Sequence, residues 1–150
     1  MCKRARGRGV DVSGDKNMNV LETEWWTMAL APEWWAEAEE DTICVGDYDD
    51  VGCIEISTLC KDQGEFNIAA VHDIAAAESQ EVNDWQTRTL GEFDGICGTV
   101  SEEGMAIREW YVIRGKLLLF ITYSCEQENK GMDDAAVDEL LGTLMIVDPA

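Results

Sequence analysis

Histidine is almost absent from this chain, and its scarcity limits the catalytic chemistry available. The one histidine in 150 residues, His72, lies among alanines in a segment with helical spacing, whereas a Cys-His hydrolase needs its imidazole beside a thiolate. The sequence also has no Gly-x-Ser-x-Gly nucleophile elbow and no Lys-bearing phosphate loop. We therefore expect a protein that is not an enzyme, with no catalytic residue and no cofactor.

Metal-ligand spacings are missing as well. No Cys-x-x-Cys pair occurs, so the spacing typical of zinc sites is absent. The acidic stretch from Asp47 begins like a calcium loop, with Asp49 and Gly52 at its third and sixth positions. It then departs from that pattern, because Val51 takes the fifth position and Thr58 the twelfth, where a bidentate Glu belongs. The sequence predicts a hairpin turn here and no metal site.

Long apolar runs are also missing. The longest, "LLLFI" at residues 117–121, is far short of the ~20 residues that span a bilayer. The basic start "MCKRARGRGV" is followed by the polar stretch "DVSGDKNMNV" instead of the apolar segment of a secretory signal. These patterns predict a cytoplasmic protein without membrane insertion.

Basic side chains are scarce outside the first residues. Residues 1–20 contain five of the 11 Lys and Arg residues and two of the 31 Asp and Glu residues. Residues 21–150 therefore contain six basic and 29 acidic side chains and carry a charge of about −23. Such a body repels phosphate backbones and anionic lipid, which argues against nucleic acid. It favours a basic protein as partner, although plain solubility explains the charge equally well. A homo-oligomer remains open.

The cysteines favour a reducing compartment. Five of the six lie in apolar, strand-like runs, and a chain of this length buries enough core to fold without covalent staples. We expect free, mostly buried thiols that behave as small hydrophobic side chains. The six are Cys2, Cys44, Cys53, Cys60, Cys97 and Cys125.

Hydrophobic periodicity predicts one α+β domain over residues 21–150, after a disordered or weakly ordered basic tail over residues 1–20 that folding does not need. Long strand runs linked by hairpins, with only two substantial helices, predict an antiparallel sheet of about six to seven strands with two main helices packed against it. The expected elements are a strand at 23–30, a short helix from Pro32 to about residue 40, strands at 42–47 and 52–60, a helix at 67–80 with Asn67 as N-cap, strands at 85–93, 95–103, 105–115 and 116–126, and a helix at 132–146.

Five short stretches in this order carry a resemblance. They are "PEWW" at Pro32 and Trp34, the hairpin "VGDYDDVG", the bend "GEFDG" at Gly91 and Gly95, the strand "LLLFITYSC" and the closing helix "VDELLGTL". The chain resembles the PsbP-like fold family, which includes a photosystem extrinsic protein, bacterial DcrB-type proteins and chaperones of secreted effectors. The resemblance implies a non-catalytic binding or assembly protein, and it transfers no functional residue.

Tryptophan is the remaining signal, since four of the six lie within residues 25–35. Trp25 and Trp26 must point to opposite faces of a strand, and a helix separates Trp34 from Trp35 by about 100°. About half of the rings therefore belong to the core, and the rest lie on a second face. That face is either covered internally or a partner-binding surface rimmed by acid. The predicted partner contacts are Trp25, Trp34, Trp35, Glu37, Glu39, Glu40 and Asp41.

These patterns lead to one hypothesis and two alternatives. The hypothesis is a non-enzymatic acidic partner-binding protein: a chaperone, an adaptor or an immunity-type neutraliser of a basic protein. One alternative is a carboxylate-based hydrolase of unknown substrate, since Asp and Glu are abundant. The other is a structural assembly subunit.

Overall fold

The computed structural model describes residues 2–4, 11–14 and 19–147, with side chains from residue 19 onward. The described elements are β1 (Cys2–Arg4), β2 (Asp11–Gly14), β3 (Asn19–Glu22), β4 (Trp26–Leu30), β5 (Trp34–Ala38), β6 (Thr42–Asp47), β7 (Gly52–Lys61), α1 (Ile68–Glu78), β8 (Gln86–Leu90), β9 (Phe93–Glu102), β10 (Met105–Arg114), β11 (Leu117–Glu126), a 3-10 turn (Gln127–Asn129), α2 (Asp134–Leu141) and β12 (Met145–Ile146).

The strands form two antiparallel sheets. The large sheet runs β5-β6-β7-β11-β10-β9-β8, and β1 also pairs with β7; the small sheet runs β12-β4-β3-β2. Tight turns join β9 to β10 and β10 to β11, and Gly104 and Gly115 take the positive φ that those turns need. The α+β class with a mostly antiparallel sheet and two helices is confirmed. The separate small sheet was not predicted.

The main core lies between the large sheet, the small sheet and α2. Alternation within β4 turns Trp26, Met28 and Leu30 inward, and α2 adds an apolar stripe of buried side chains. A second core lies on the other face of the large sheet, beneath α1. The main core includes Leu21, Trp26, Met28, Leu30, Trp34, Ile54, Ile56, Trp110, Val112, Leu119, Ile121, Val137, Leu140 and Leu141, and the second includes Phe66, Val71, Ala75, Ile96, Tyr111, Ile113 and Leu118.

Both main helices were predicted, and both are confirmed. The Asn67 side chain accepts a hydrogen bond from the backbone N–H of Ala70, at 2.8 Å, and caps α1 as expected. None of the helices among the described residues combines the length and the apolar character needed to cross a membrane.

The prediction of a short helix after Pro32 is wrong. Residues 34–38 form β5, which pairs antiparallel with β6, with Trp34 opposite Asp47 and Ala38 opposite Ile43. Ala and Glu favour a helix locally, but pairing with β6 and burial of Trp34 outweigh that preference. The change matters for function, because a strand sends consecutive side chains to opposite faces of the sheet.

The predicted tail at residues 1–20 is only partly described. The backbone of Cys2–Arg4 pairs with β7, and that of Asp11–Gly14 pairs with β3, which itself begins at Asn19. Residues 1, 5–10 and 15–18 lie outside the described residues. The prediction that folding does not need the tail therefore stays a prediction.

Candidate partner-binding face

The strand β5 divides its two tryptophans between the faces of the large sheet. Trp34 points into the main core and is 4% exposed, and Ala36 packs against the same core. Trp35 and Glu37 therefore point to the other face. Since α1 lies over β9 and β10, the β5–β7 end of this face remains accessible at Glu37 and Glu55, which are exposed. We call this part the open face; it comprises Trp35, Glu37, Cys44, Cys53, Glu55, Thr122 and Ser124.

The strand register arranges the open face in cross-strand rows. One row, which we call the acidic row, starts on the open face and continues to β10. It places three carboxylates on alternate strands: Glu37 on β5, Glu55 on β7 and Glu109 on β10. Cys44 and Thr122 lie between them in the same row. Adjacent strands are about 4.8 Å apart, so successive carboxylates stand roughly 10 Å from one another. This arrangement concentrates negative charge in a line across the strands.

The neighbouring row contains Trp35, the aromatic ring of the open face. Its register partner is Gly46, and a Cβ added at Gly46 would lie 2.5 Å from Trp35 Cζ2, so the indole lies directly against the Gly46 backbone. Trp35 Nε1 donates to the backbone oxygen of Asp47 at 3.1 Å. The ring is thus fixed but half-buried. It borders a cleft of about 470 Å³ that Asp50 and Glu126 also line.

The other predicted contacts are dispersed. Trp25 is half-buried and packs against the main core, and its Nε1 is buried without a hydrogen-bond partner. Glu39 and Glu40 are exposed between β5 and β6, and Asp41 beside them is half-buried. Trp34 lies in the core, as described above, so the strand geometry removes it from the predicted surface. Of the seven predicted contacts, Trp35 and Glu37 lie together on the open face.

Two cysteines lie within the open face. Cys44 and Cys53 are free thiols, and their Sγ atoms are 2.7 Å apart across β6 and β7. Burial raises the pKa of both thiols, and the carboxylates of Glu55 and Glu39 raise it further. Both cysteines are therefore protonated at neutral pH.

Two acidic side chains on the opposite face of the sheet, Asp47 and Asp133, bear on the alternative of a carboxylate-based hydrolase. Asp47 is 8% exposed, and its Oδ1 accepts from the Val51 N–H at 3.1 Å, closing the β6–β7 turn. Tyr123 donates to Asp133 Oδ2 at 3.1 Å. Burial, followed by the charge of Asp47, raises the pKa of Asp133. Both carboxylates thus have structural partners, and the predicted hairpin turn is confirmed.

A second polar network was not predicted. The buried Ser79 hydroxyl, at the C-terminal end of α1, donates to Glu109 and bonds Tyr111 Oη at 2.7 Å. Burial raises the pKa of Tyr111. These bonds attach the end of α1 to β10 and hold Glu109 at the end of the acidic row. The sequence signal was a Ser at a helix terminus, which alone does not indicate its partner on a distant strand.

The remaining candidates offer no reactive constellation in the part of the chain that the structure describes. His72 is exposed on α1. Within the same residues, no group of three or more His, Cys, Asp or Glu side chains is arranged to hold a metal ion.

Comparisons with known proteins identify the fold and no family. No family model and no curated protein matches the sequence. A crystal structure from Bacteroides thetaiotaomicron VPI-5482 is similar with a TM-score of 0.61 and 17% identity, over 83% of this chain and 46% of that one. This chain thus spans less than half of that protein. The crystal structure of LpqN, described as involved in cell envelope biogenesis of Mycobacterium tuberculosis, is similar with a TM-score of 0.55 and 16% identity, over 98% of this chain and 92% of that one.

Proposed function

We propose that this protein is a non-enzymatic, PsbP-like binding protein that holds a basic protein segment on its open face, as a chaperone, an adaptor or an immunity-type neutraliser. The observation that carries the proposal is the fixed, half-buried Trp35 beside the acidic row. A rigid aromatic anchor within a charged surface is typical of the residues that dominate binding energy at protein interfaces.

Trp35 suits the role of anchor because little conformational entropy is lost when a partner covers it. The hydrogen bond to Asp47 and the contact with Gly46 already fix the ring, so binding does not have to order it. Truncating such an anchor typically costs about 2 kcal/mol or more of binding free energy. The loss is expected mainly as faster dissociation.

The acidic row supplies the charge preference. Glu37 and Glu55 are exposed on the open face, and residues 21–150 carry 29 acidic against six basic side chains. Such a field speeds association with a basic partner and weakens as salt is added. Charge provides attraction toward basic surfaces in general, and Trp35 provides the specific contact.

The proposed compartment is the cytoplasm. The thiols of Cys44, Cys53, Cys60, Cys97 and Cys125 are free, in keeping with a reducing environment. The likeness to LpqN supports a role at the cell envelope as the alternative.

The partner is best captured from the native host with immobilised protein and then titrated, purified, against a set of variants. Trp35→Ala removes the anchor. Gly46→Ala keeps the indole but displaces it from the β6 backbone, because the added Cβ would lie 2.5 Å from Trp35 Cζ2. Glu37→Gln with Glu55→Gln neutralises the two exposed carboxylates of the acidic row. The matched control, Glu24→Gln with Glu139→Gln, makes the same charge change at exposed positions on the small-sheet and α2 side.

We expect Trp35→Ala to weaken binding about 30-fold. Gly46→Ala should weaken it in the wild type but add nothing to Trp35→Ala, because the two changes act on one ring. The double Gln variant should slow association at low salt, whereas its control should leave association nearly unchanged. An acidic partner, or binding that is indifferent to all these changes, would show that the open face is not the interface.

A further inference from the structure

Cys44 and Cys53 occupy a geometry that neither the fold nor the proposed function requires. Cys44 on β6 pairs with Glu55, and Cys53 on β7 pairs with Gly46, so the two cysteines are diagonal neighbours on adjacent antiparallel strands. Their Sγ atoms are 2.7 Å apart. Both side chains point to the open face, away from the main core, and Cys53 is the more exposed of the two.

The 2.7 Å between the two Sγ atoms is shorter than an ordinary non-bonded contact and longer than a covalent S–S bond. A disulfide has its sulfurs about 2.05 Å apart, so the two Sγ atoms need to approach by only about 0.7 Å. Gly46, opposite Cys53, carries no side chain, and the Trp35 indole lies against its backbone. We propose that Cys44 and Cys53 form a redox-active dithiol, which a hydroperoxide oxidises to a reversible disulfide linking β6 to β7.

The surroundings assign different roles to the two thiols. Burial raises the pKa of both thiols above the ordinary value. Cys53 is the more exposed of the two and therefore meets the oxidant first. Cys44 is the resolving thiol.

The chemistry balances in two steps. The Cys53 thiolate attacks one peroxide oxygen; the O–O bond breaks, the released hydroxide takes up a proton as water, and Cys53 becomes a sulfenic acid. The Cys44 sulfur then attacks the Cys53 sulfur; the S–O bond breaks, and the hydroxyl leaves with the Cys44 proton as a second water. Two thiols lose two electrons in total, and one hydrogen peroxide is reduced to two waters.

The inference is independent of the proposed function, although Cys53 lies in the same row as Trp35 and Cys44 lies in the acidic row. The disulfide would fix the β6–β7 hairpin, against which the Trp35 indole rests at Gly46. The high pKa of both thiols predicts slow oxidation at neutral pH that accelerates as pH rises, since only the thiolate attacks.

The test is oxidation of the full-length chain with hydrogen peroxide, followed by alkylation of the remaining thiols, intact mass measurement and peptide mapping without reduction. We expect a product that lacks two hydrogens (about 2 Da) and carries two fewer alkyl groups than the fully reduced chain. It should map to a peptide joining Cys44 to Cys53, form about tenfold faster than any oxidation product of Cys97 or Cys125, and be reversed by dithiothreitol. Cys44→Ser should abolish that product and leave Cys53 as a sulfenic acid that dimedone traps. Cys97→Ser is the matched control and should retain the bond.

Two results would overturn the proposal. One is a disulfide that joins any other pair of cysteines at a comparable rate. The other is oxidation of Cys53 to sulfinic acid in the wild-type chain without any bond to Cys44. Because peptide mapping of the wild type gives both answers, the test does not depend on the folding of a variant.

Discussion

Alanine substitutions at the two adjacent tryptophans of β5 should have very different effects on stability. Trp34 is 4% exposed within the main core, and removing such a ring typically costs about 3–5 kcal/mol. Trp35 is half-buried on the open face and makes one hydrogen bond, to Asp47. Losing that bond costs about 1 kcal/mol and losing its partial packing a similar amount, so Trp35→Ala should cost about 1–2 kcal/mol.

The measurement is urea unfolding of both variants beside the wild type, with melting temperatures as a second readout. For a chain of this size, 1 kcal/mol lowers Tm by about 2–4 °C, so Trp34→Ala should lower it by roughly 10 °C and Trp35→Ala by only a few degrees. Equal losses of free energy would contradict the assignment of opposite faces. That result would fit two partly exposed rings on a helix, the arrangement that local sequence favoured.

Three further changes test contacts away from the open face. Arg108 bonds Asp138 on α2 at 2.6 Å with its side chain 18% exposed, so Arg108→Met should lower the free energy of unfolding by about 1–2 kcal/mol, and by less in high salt. Asn67→Ala should cost about 1 kcal/mol through the lost cap of α1. Burial raises the pKa of the Asp133 carboxyl in the folded state above its pKa in the unfolded chain. The ionised carboxyl therefore destabilises the fold at pH values above the folded-state pKa, and this penalty disappears at pH values below the unfolded-state pKa. Asp133→Asn, which still accepts from Tyr123, should therefore stabilise the fold at pH 7 by an increment that shrinks as pH falls, in unfolding curves recorded across that range.

Much of the architecture was predictable because local patterns and tertiary structure agree. The stripe of Val137, Leu140 and Leu141 indicated the buried face of α2, and Asn67 indicated the start of α1. The alternation of Trp26, Met28 and Leu30 predicts a strand, and these three side chains form the buried face of β4. For α2 and β4, the apolar residues whose spacing identifies the element are also the residues that pack into the core. Periodicity therefore indicates both the type of element and its buried face.

The failure at β5 has a physical reason. "PEWWAEAEE" combines a proline start with good helix formers, and a single-sequence pattern does not show that β6 offers an edge for pairing. Strand preference depends more on such neighbours than helix preference does. The helix prediction therefore placed both Trp34 and Trp35 among the partner contacts, whereas the strand buries Trp34 in the main core and places Trp35 on the open face.

The acidic row and the cysteine pair lay beyond sequence reasoning for a related reason. Glu37, Glu55 and Glu109 fall in one row only because β5, β6, β7, β11 and β10 pair in that order. The strand order is set by packing across the sheet and not by any local motif. Cys44 and Cys53 were identified singly as buried thiols, whereas their contact depends on the register of β6 against β7.

Carboxyl footprinting of the complex with its captured partner, read by mass spectrometry, tests directly whether the open face is the interface. Bound and free protein are labelled with a carbodiimide and an amine, and modification is compared at Glu37 and Glu55 on the open face and at Glu24 and Glu139, which are also exposed. We expect strong protection of Glu37 and Glu55 and unchanged labelling of Glu24 and Glu139. Protection of Glu24 and Glu139 with the open face still labelled would contradict this assignment of the interface.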